Sequence, residues 1–340
     1  MKTLQKLAVL LLSCSILAVV SGYALFAYMN SAPGTSRDFY YTVHSGETLR
    51  SVATSLYAEG LIRNADFFVL LSRISQNRSV RTGRYRIPSG ASSTRIYDIL
   101  SSGRIETVRV TVPEGYNIYQ IAPALEDAGI CDGEEFLRWA TDREFLETMG
   151  IDAPSVEGYL YPDTYSFAPD TAPYDVIRHM KKTMDGVLDS LDANRHIPKG
   201  MSVHELLIVA SLVEKEARIK SEQRLIASVF LNRIERGMRF DSDPTVRYAV
   251  KKFTGRIRYR DLEADSPYNT YRVWGYPPTP IASPGREAID AVLRPAESTF
   301  LYFVARNDGS HYFSSSLSRH NKAVEYYQKG IQNGFNDDQL

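Results

Sequence analysis

The chain has 340 residues, and Lys plus Arg balance Asp plus Glu at 40 each. That length holds a few domains at most, and a formal charge of zero leaves no basic footprint for nucleic acid, so no nucleic-acid partner is expected. Two cysteines, Cys14 and Cys131, stand far apart, so no disulfide framework is expected.

Lys2 and Lys6 precede an uncharged, mainly apolar run from Leu7 to Met29. A helix of about 20 residues crosses a bilayer, and basic residues ahead of it keep the N-terminus in the cytoplasm. Residues 1–30 therefore read as a single-pass anchor in the plasma (inner) membrane, with the rest extracytoplasmic or periplasmic. Two rivals are a cleaved signal peptide ending near Val20-Ser21-Gly22 and a lipoprotein box at Leu11-Leu12-Ser13-Cys14. The first is weakened because the apolar run continues through Phe26, the second because little apolar sequence precedes the cysteine.

Residues 31–39 form a polar linker. Alternating Tyr41 and Val43 predict a short strand, Gly46 a turn, and Leu49, Val52, Ala53 and Leu56 a helix. This stretch resembles the opening of a LysM carbohydrate-binding module. A second helical run, Ala65 to Ile74, then leads to the strand-like Gly83 to Pro88, a departure from the standard module. Residues 40–104 are expected to be a LysM-like subdomain, or else a small docking unit. Period-two valines from Glu106 to Val112 predict another strand. Helical segments follow over Ile118 to Ala128 and Gly133 to Met149, and residues 105–155 read as a connecting subdomain.

Residues 156–340 carry the chemistry. Ser202 and Glu205 have capping-box spacing before an apolar helix that ends in Glu214-Lys215-Glu216. Val213, Leu212 and Val209 lie three, four and seven residues before Glu216, so Glu216 falls on an apolar face. Glu214 falls roughly 160° away at ~100° per residue. A carboxyl on an apolar face is costly to ionise and can stay protonated near neutral pH, as a general acid requires. The bland alternative is a carboxylate one turn past the buried part, paired with Lys220 or Arg218. A second helix is predicted from Ser221 to Arg236, ending at Gly237. Loops follow at Phe240 to Thr245, Tyr268 to Tyr271 and Gly275 to Pro278.

Other chemistries lack their signatures. No H-E-x-x-H is present, Asp241 and Asp243 are too sparse for a calcium loop, and no metal or cofactor is expected. Ser211 precedes Lys215 by four residues rather than three, and there is no G-x-S-x-G elbow.

Several segments together resemble the endolytic murein transglycosylase (MltG/YceG-like) family. They are Glu157 to Tyr165, the Glu-Lys-Glu helix, Asn232-Arg233, Ser242-Asp243-Pro244-Thr245 and Tyr268-Asn269-Thr270-Tyr271. They continue through Ile281 to Gly285, Leu301 to Val304, His311-Tyr312-Phe313 and His320-Asn321. Order and spacing fit from about residue 40 to 328. Tyr276 and Ser283 depart from the family pattern, and neither is Glu216. The resemblance implies a lytic transglycosylase, a carbon–oxygen lyase that leaves 1,6-anhydro muramic ends on strands near the membrane. It makes Glu216 the essential glutamate and penicillin-binding synthases the expected partners. Glu157, Asp243, Tyr268 and Asn269 are expected sugar-binding or transition-state groups. Arg233 or His311 would orient a carboxylate or polar sugar group. Two alternatives are a non-catalytic LysM scaffold, and a muramidase that uses water with Glu157 or Asp243 as second carboxylate. The expected fold is α+β: an N-terminal transmembrane helix, LysM-like subdomain, connecting region and mainly helical catalytic domain with β-rich loops.

Overall fold

A computed structural model describes residues 2–34, 37–44, 46–75, 79–103, 106–331 and 335. Thr35 and Ser36 of the expected linker, Ser45 of the LysM-like opening, and Arg104 and Ile105 at the expected subdomain boundary lie outside the described residues. The chain forms two compact units, residues 1–108 and 109–340.

The first unit opens with α1 (Lys2–Asn30). Its segment Gln5–Asn30 is long and apolar enough to cross a membrane, by length and composition. The end of α1 is tied into the unit by Asn30, whose Oδ1 accepts from the Thr94 N–H at 2.8 Å and the Thr94 hydroxyl at 2.7 Å. Strand β1 (Phe39–Val43) pairs antiparallel with β2 (Gly83–Ile87), with Phe39 opposite Ile87 and Val43 opposite Gly83. Between them run α2 (Leu49–Ala58) and α3 (Ala65–Ile74), and α4 (Ser93–Ser102) follows. Thr48, Asn64 and Ser92 cap these three helices, each accepting a backbone N–H three residues on. The apolar faces meet in a core of Val52, Leu56, Phe68, Tyr85, Tyr97 and Leu100.

The second unit opens within β3 (Val108–Thr111), which pairs with β4 (Thr164–Phe167). Between them lie α5 (Ile118–Asp127), α6 (Gly133–Ala140) and α7 (Arg143–Thr148). The single helical run expected from Gly133 to Met149 is thus two helices. Thr141 ends the first, and Asp142 caps the second by accepting from the Phe145 N–H at 2.8 Å.

After α8 (Pro173–Ser190) and the short α9 (Ala193–His196) comes α10 (Val203–Glu216). Ser202 and Glu205 close its capping box: the Ser202 hydroxyl accepts the Glu205 N–H, and Glu205 accepts the Ser202 N–H at 2.7 Å. Every residue from Leu206 to Val213 is buried, so α10 is wrapped on all sides instead of presenting one apolar stripe. It packs against α11 (Gln223–Glu235), α12 (Asp243–Ala249) and α14 (Arg286–Leu293). Burying one such Leu or Val side chain contributes about 1.5–3 kcal/mol, so α10 is the rigid post of this unit.

From 250 to 285 the described chain has no strand, only the short α13 (Tyr259–Leu262). The expected β-rich loops are therefore irregular segments held by side-chain hydrogen bonds. The hairpin β5 (Tyr302–Ala305) and β6 (His311–Ser314), then α15 (Leu317–Lys329), complete the unit.

Candidate active site

Glu214, Lys215 and Glu216 end α10 and go three ways. Glu214 Oε2 accepts from the Gly285 N–H at 3.0 Å. Lys215 Nζ donates to the Gly115 carbonyl at 2.9 Å. Gly115 and Ser283 are themselves joined by a 2.8 Å backbone bond, so the first two side chains pin two loops to the helix end. Glu216 lines a cleft of about 630 Å³, which Lys215 also borders and Glu214 does not.

The Glu216 carboxyl is pushed up to about 7 by burial. Ser242 and Arg233 oppose that rise and Asp243 adds to it. One of its two oxygens, Oε1, accepts a 2.6 Å hydrogen bond from the Ser242 hydroxyl. Lys220 pairs with Glu114 and Glu287 and not with Glu216, whereas Arg218 lines the same cleft as Glu216.

Ser242 is itself buried and braced. Its N–H donates to Thr270 Oγ1 at 3.1 Å, its carbonyl accepts from the Thr245 hydroxyl at 2.6 Å, and the Thr245 and Thr270 hydroxyls lie 2.8 Å apart. This knot starts α12, whose first residue, Asp243, accepts from the Tyr271 hydroxyl at 2.8 Å. Ser242, Asp241 and Tyr271 were not among the site residues expected from sequence. Ser242 and Tyr271 lie inside the family-like motifs, but nothing in their spacing aims them at Glu216.

Of the expected accessory residues, Asp243, Arg233 and His311 line the same cleft as Glu216. Arg233 is buried and donates to the carbonyls of Leu301 at 2.6 Å and Phe240 at 2.6 Å. Its guanidinium thus ties the β5 edge to the loop before Ser242. His311 Nδ1 lies 2.7 Å from Glu222 Oε2, fixing its ring in the cleft wall.

Glu157, Tyr268 and Asn269 do not line this cleft, and their polar atoms have partners elsewhere in the fold. Glu157 is fully buried, and its Oε2 accepts from the Ile118 N–H at 3.0 Å and the Tyr248 hydroxyl at 2.9 Å. Burial lifts its pKa to about 8 against those two donors. Next to it Gly158 has φ +79°, and an added Cβ would come within 2.3 Å of Pro280, so this turn needs glycine. Tyr268 bonds through its hydroxyl to Thr279 at 2.9 Å. Asn269 is buried, and its amide donates to the carbonyls of Leu262 and Ala264, both at 2.8 Å. Each of the three is engaged inside the fold, Glu157 by a distant backbone N–H and a tyrosine hydroxyl, Tyr268 by a threonine hydroxyl, and Asn269 by two carbonyls of its own turn.

A larger cleft of about 710 Å³ opens between α5 and the segment after α12. Its carboxylate, Asp261, is held below the usual range by the Arg258 N–H and by Lys252. It offers no protonated carboxyl near neutral pH, in contrast to the cleft lined by Glu216.

Comparison with known proteins places the chain in a family. A Bacillus subtilis (strain 168) protein named endolytic murein transglycosylase is 34% identical over 301 residues, 84% of this chain and 83% of its own length. A Streptococcus pneumoniae (strain ATCC BAA-255 / R6) protein of the same name is 29% identical, and this chain covers 57% of its length. The crystal structure of a yceG-like protein from Listeria monocytogenes superposes with a TM-score of 0.57 at 32% identity, over 85% of this chain and 100% of that one. The YceG-like family matches residues 41–326, and the chain belongs to that family.

Proposed function

We propose that this chain is an endolytic murein transglycosylase with Glu216 as its single acid and base. The observation that carries the reading is the Glu216 carboxyl, open to a cleft and lifted to about 7 by burial. Such a group is substantially protonated at neutral pH and can still act as a base once it has given up its proton.

Glu216 gives its proton to the oxygen that joins N-acetylmuramic acid to N-acetylglucosamine. That bond breaks, and positive character develops at C1 of the muramic acid. The carboxylate left behind takes the proton from the C6 hydroxyl of the same sugar, whose oxygen then bonds to C1. The product is a 1,6-anhydro end, Glu216 is protonated again, and no water is consumed. An internal hydroxyl outcompetes water through its high effective concentration. Asp243 faces the developing positive charge, and Ser242 holds the carboxyl in line.

The remaining expectations belong to the same proposal. Helix α1 is a single-pass anchor with a cytoplasmic N-terminus, supported by its length, its apolar exposed side chains and Lys6 near its start. It would keep cleavage on strands near the membrane. Residues 40–104 hold glycan in a LysM-like manner, supported by the motif at Tyr41–Ala53 and by the exposed Tyr40 and Tyr57. Penicillin-binding synthases are the proposed partners, on the family resemblance. A second reading, a muramidase that uses water, is kept because Asp243 supplies a second carboxylate in the same cleft.

Mass spectrometry of the fragments released from glycan strands tests both. Anhydro ends from the wild-type full chain, absent with Glu216→Gln, support the transglycosylase. Reducing ends would move the assignment to the muramidase. No release by folded, glycan-binding wild type would leave the scaffold.

A further inference from the structure

The larger cleft has its own chemistry. It is lined by Lys251, Lys252, Arg258 and Arg260 against the single carboxylate of Asp261, with Gln120 and Phe253 beside them. Asp261 engages two of the four cations: Lys252 Nζ at 2.9 Å and, more distantly, Arg260 Nε at 3.8 Å. Lys251 lies over the ring of Tyr119, with Nζ 4.3 Å from its centroid, and Tyr119 stacks on Phe253 at 6.0 Å. Lys251 holds a positive φ of 50°, which turns the chain sharply after α12 and sets this ammonium at the cleft.

We propose that this cleft is a subsite for the carboxylates of the peptide stem borne by muramic acid. The inference rests on the reading of the chain as an enzyme of murein strands. An uncharged sugar would leave an excess of cations unanswered, whereas a carboxylate meets them with charge-assisted hydrogen bonds. Placement agrees with this. Helix α12 begins at Asp243, in the cleft of Glu216, and ends just before Val250 and Lys251, in the basic cleft. Its seven residues span ~10 Å at about 1.5 Å per residue. One short helix therefore sets the distance between the bond to be cut and the stem to be held. Substrate choice would follow from how the stem is charged.

The test uses the full chain carrying Glu216→Gln, so that binding is read without turnover. Three probes are titrated: a disaccharide–tetrapeptide with free carboxylates, the same compound with its carboxylates amidated, and the peptide-free disaccharide. Adding Lys251→Asn and Arg258→Gln removes two exposed cations, and Asn tolerates the positive φ. The variant should bind the free-carboxylate probe about tenfold more weakly, bind the peptide-free disaccharide unchanged, and lose the preference for free over amidated stems. Unchanged affinity for the free-carboxylate probe overturns the subsite, as does an equal loss for the peptide-free disaccharide. The two readings fail separately. Stem binding without fragment release by the wild type removes the activity and keeps the subsite. Fragment release with stem binding indifferent to the substitutions does the reverse.

Discussion

The Ser242 hydroxyl and the Glu216 carboxyl meet at 2.6 Å, joining the start of α12 to the end of α10. The bond favours the ionised form and opposes the burial that lifts Glu216 to about 7. Glu216 is thus held between two states by forces of opposite sign, which suits a group that must give a proton and then take one.

Ser242→Ala removes that donor. The Glu216 pKa should rise, by about one to two units if the bond is worth ~1.5–3 kcal/mol. The alkaline limb of the pH–rate profile should move up accordingly, and kcat should fall because the carboxylate is less well positioned. Fragment release measured across pH checks both, and an unmoved limb would separate Ser242 from the acid.

Glu216→Gln should lower fragment release by on the order of 10²–10⁴-fold, the usual scale of general acid–base catalysis. Glu214→Gln should cost far less, since the amide oxygen can still accept from the Gly285 N–H. Comparable losses in both variants, each with wild-type thermal stability, would mean that the helix end and not one carboxyl carries the reaction.

Glu157 sets a stability trend with pH. Its folded pKa, about 8, lies above its ordinary 4.5. The folded chain therefore holds a proton that the unfolded chain releases. That stabilisation is complete below about 4.5 and is lost as pH rises through about 8. Glu216 adds the same sign, lost as pH rises through about 7. Between about pH 5 and about pH 9, Glu157→Gln should gain on wild type by on the order of a few kcal/mol. Thermal unfolding at the two pH values measures the difference, and parallel Tm curves would show that Glu157 is ionised throughout.

Asn269→Ala should destabilise the fold by about 1–3 kcal/mol, because the Leu262 and Ala264 carbonyls lose their donor. Glycan affinity, measured in the Glu216→Gln background, should stay within about twofold, well under the 1.4 kcal/mol of a tenfold change. A large loss of affinity at unchanged Tm would return Asn269 to the substrate.

What could be read before folding was local. Ser202 and Glu205 announced the start of α10 because a capping box is made within one turn. The strand at Val108–Thr111 and the helix at Ala65–Ile74 followed from side-chain period. Gly237 marked a helix end because glycine suits the C′ position, and it takes a positive φ of 63° there. Glu216 was chosen by a face that α10 does not have, since its middle is buried on every side. Burial raises Glu214 as well as Glu216, and only their partners distinguish them.

By itself, then, the sequence determined helix and strand positions, the apolar first helix and the family motifs, all of which depend on neighbours a few residues apart. The tertiary structure alone decided which carboxyl faces the cleft and which motif residues bond within the fold. Glu157, Tyr268 and Asn269 sit in motifs as prominent as that of Asp243. Whether a polar side chain meets substrate or a carbonyl depends on segments distant in sequence, such as Ser242 reaching Glu216 across 26 residues. Such contacts form only when α10, α11, α12 and α14 pack, and no spacing rule along the chain encodes them.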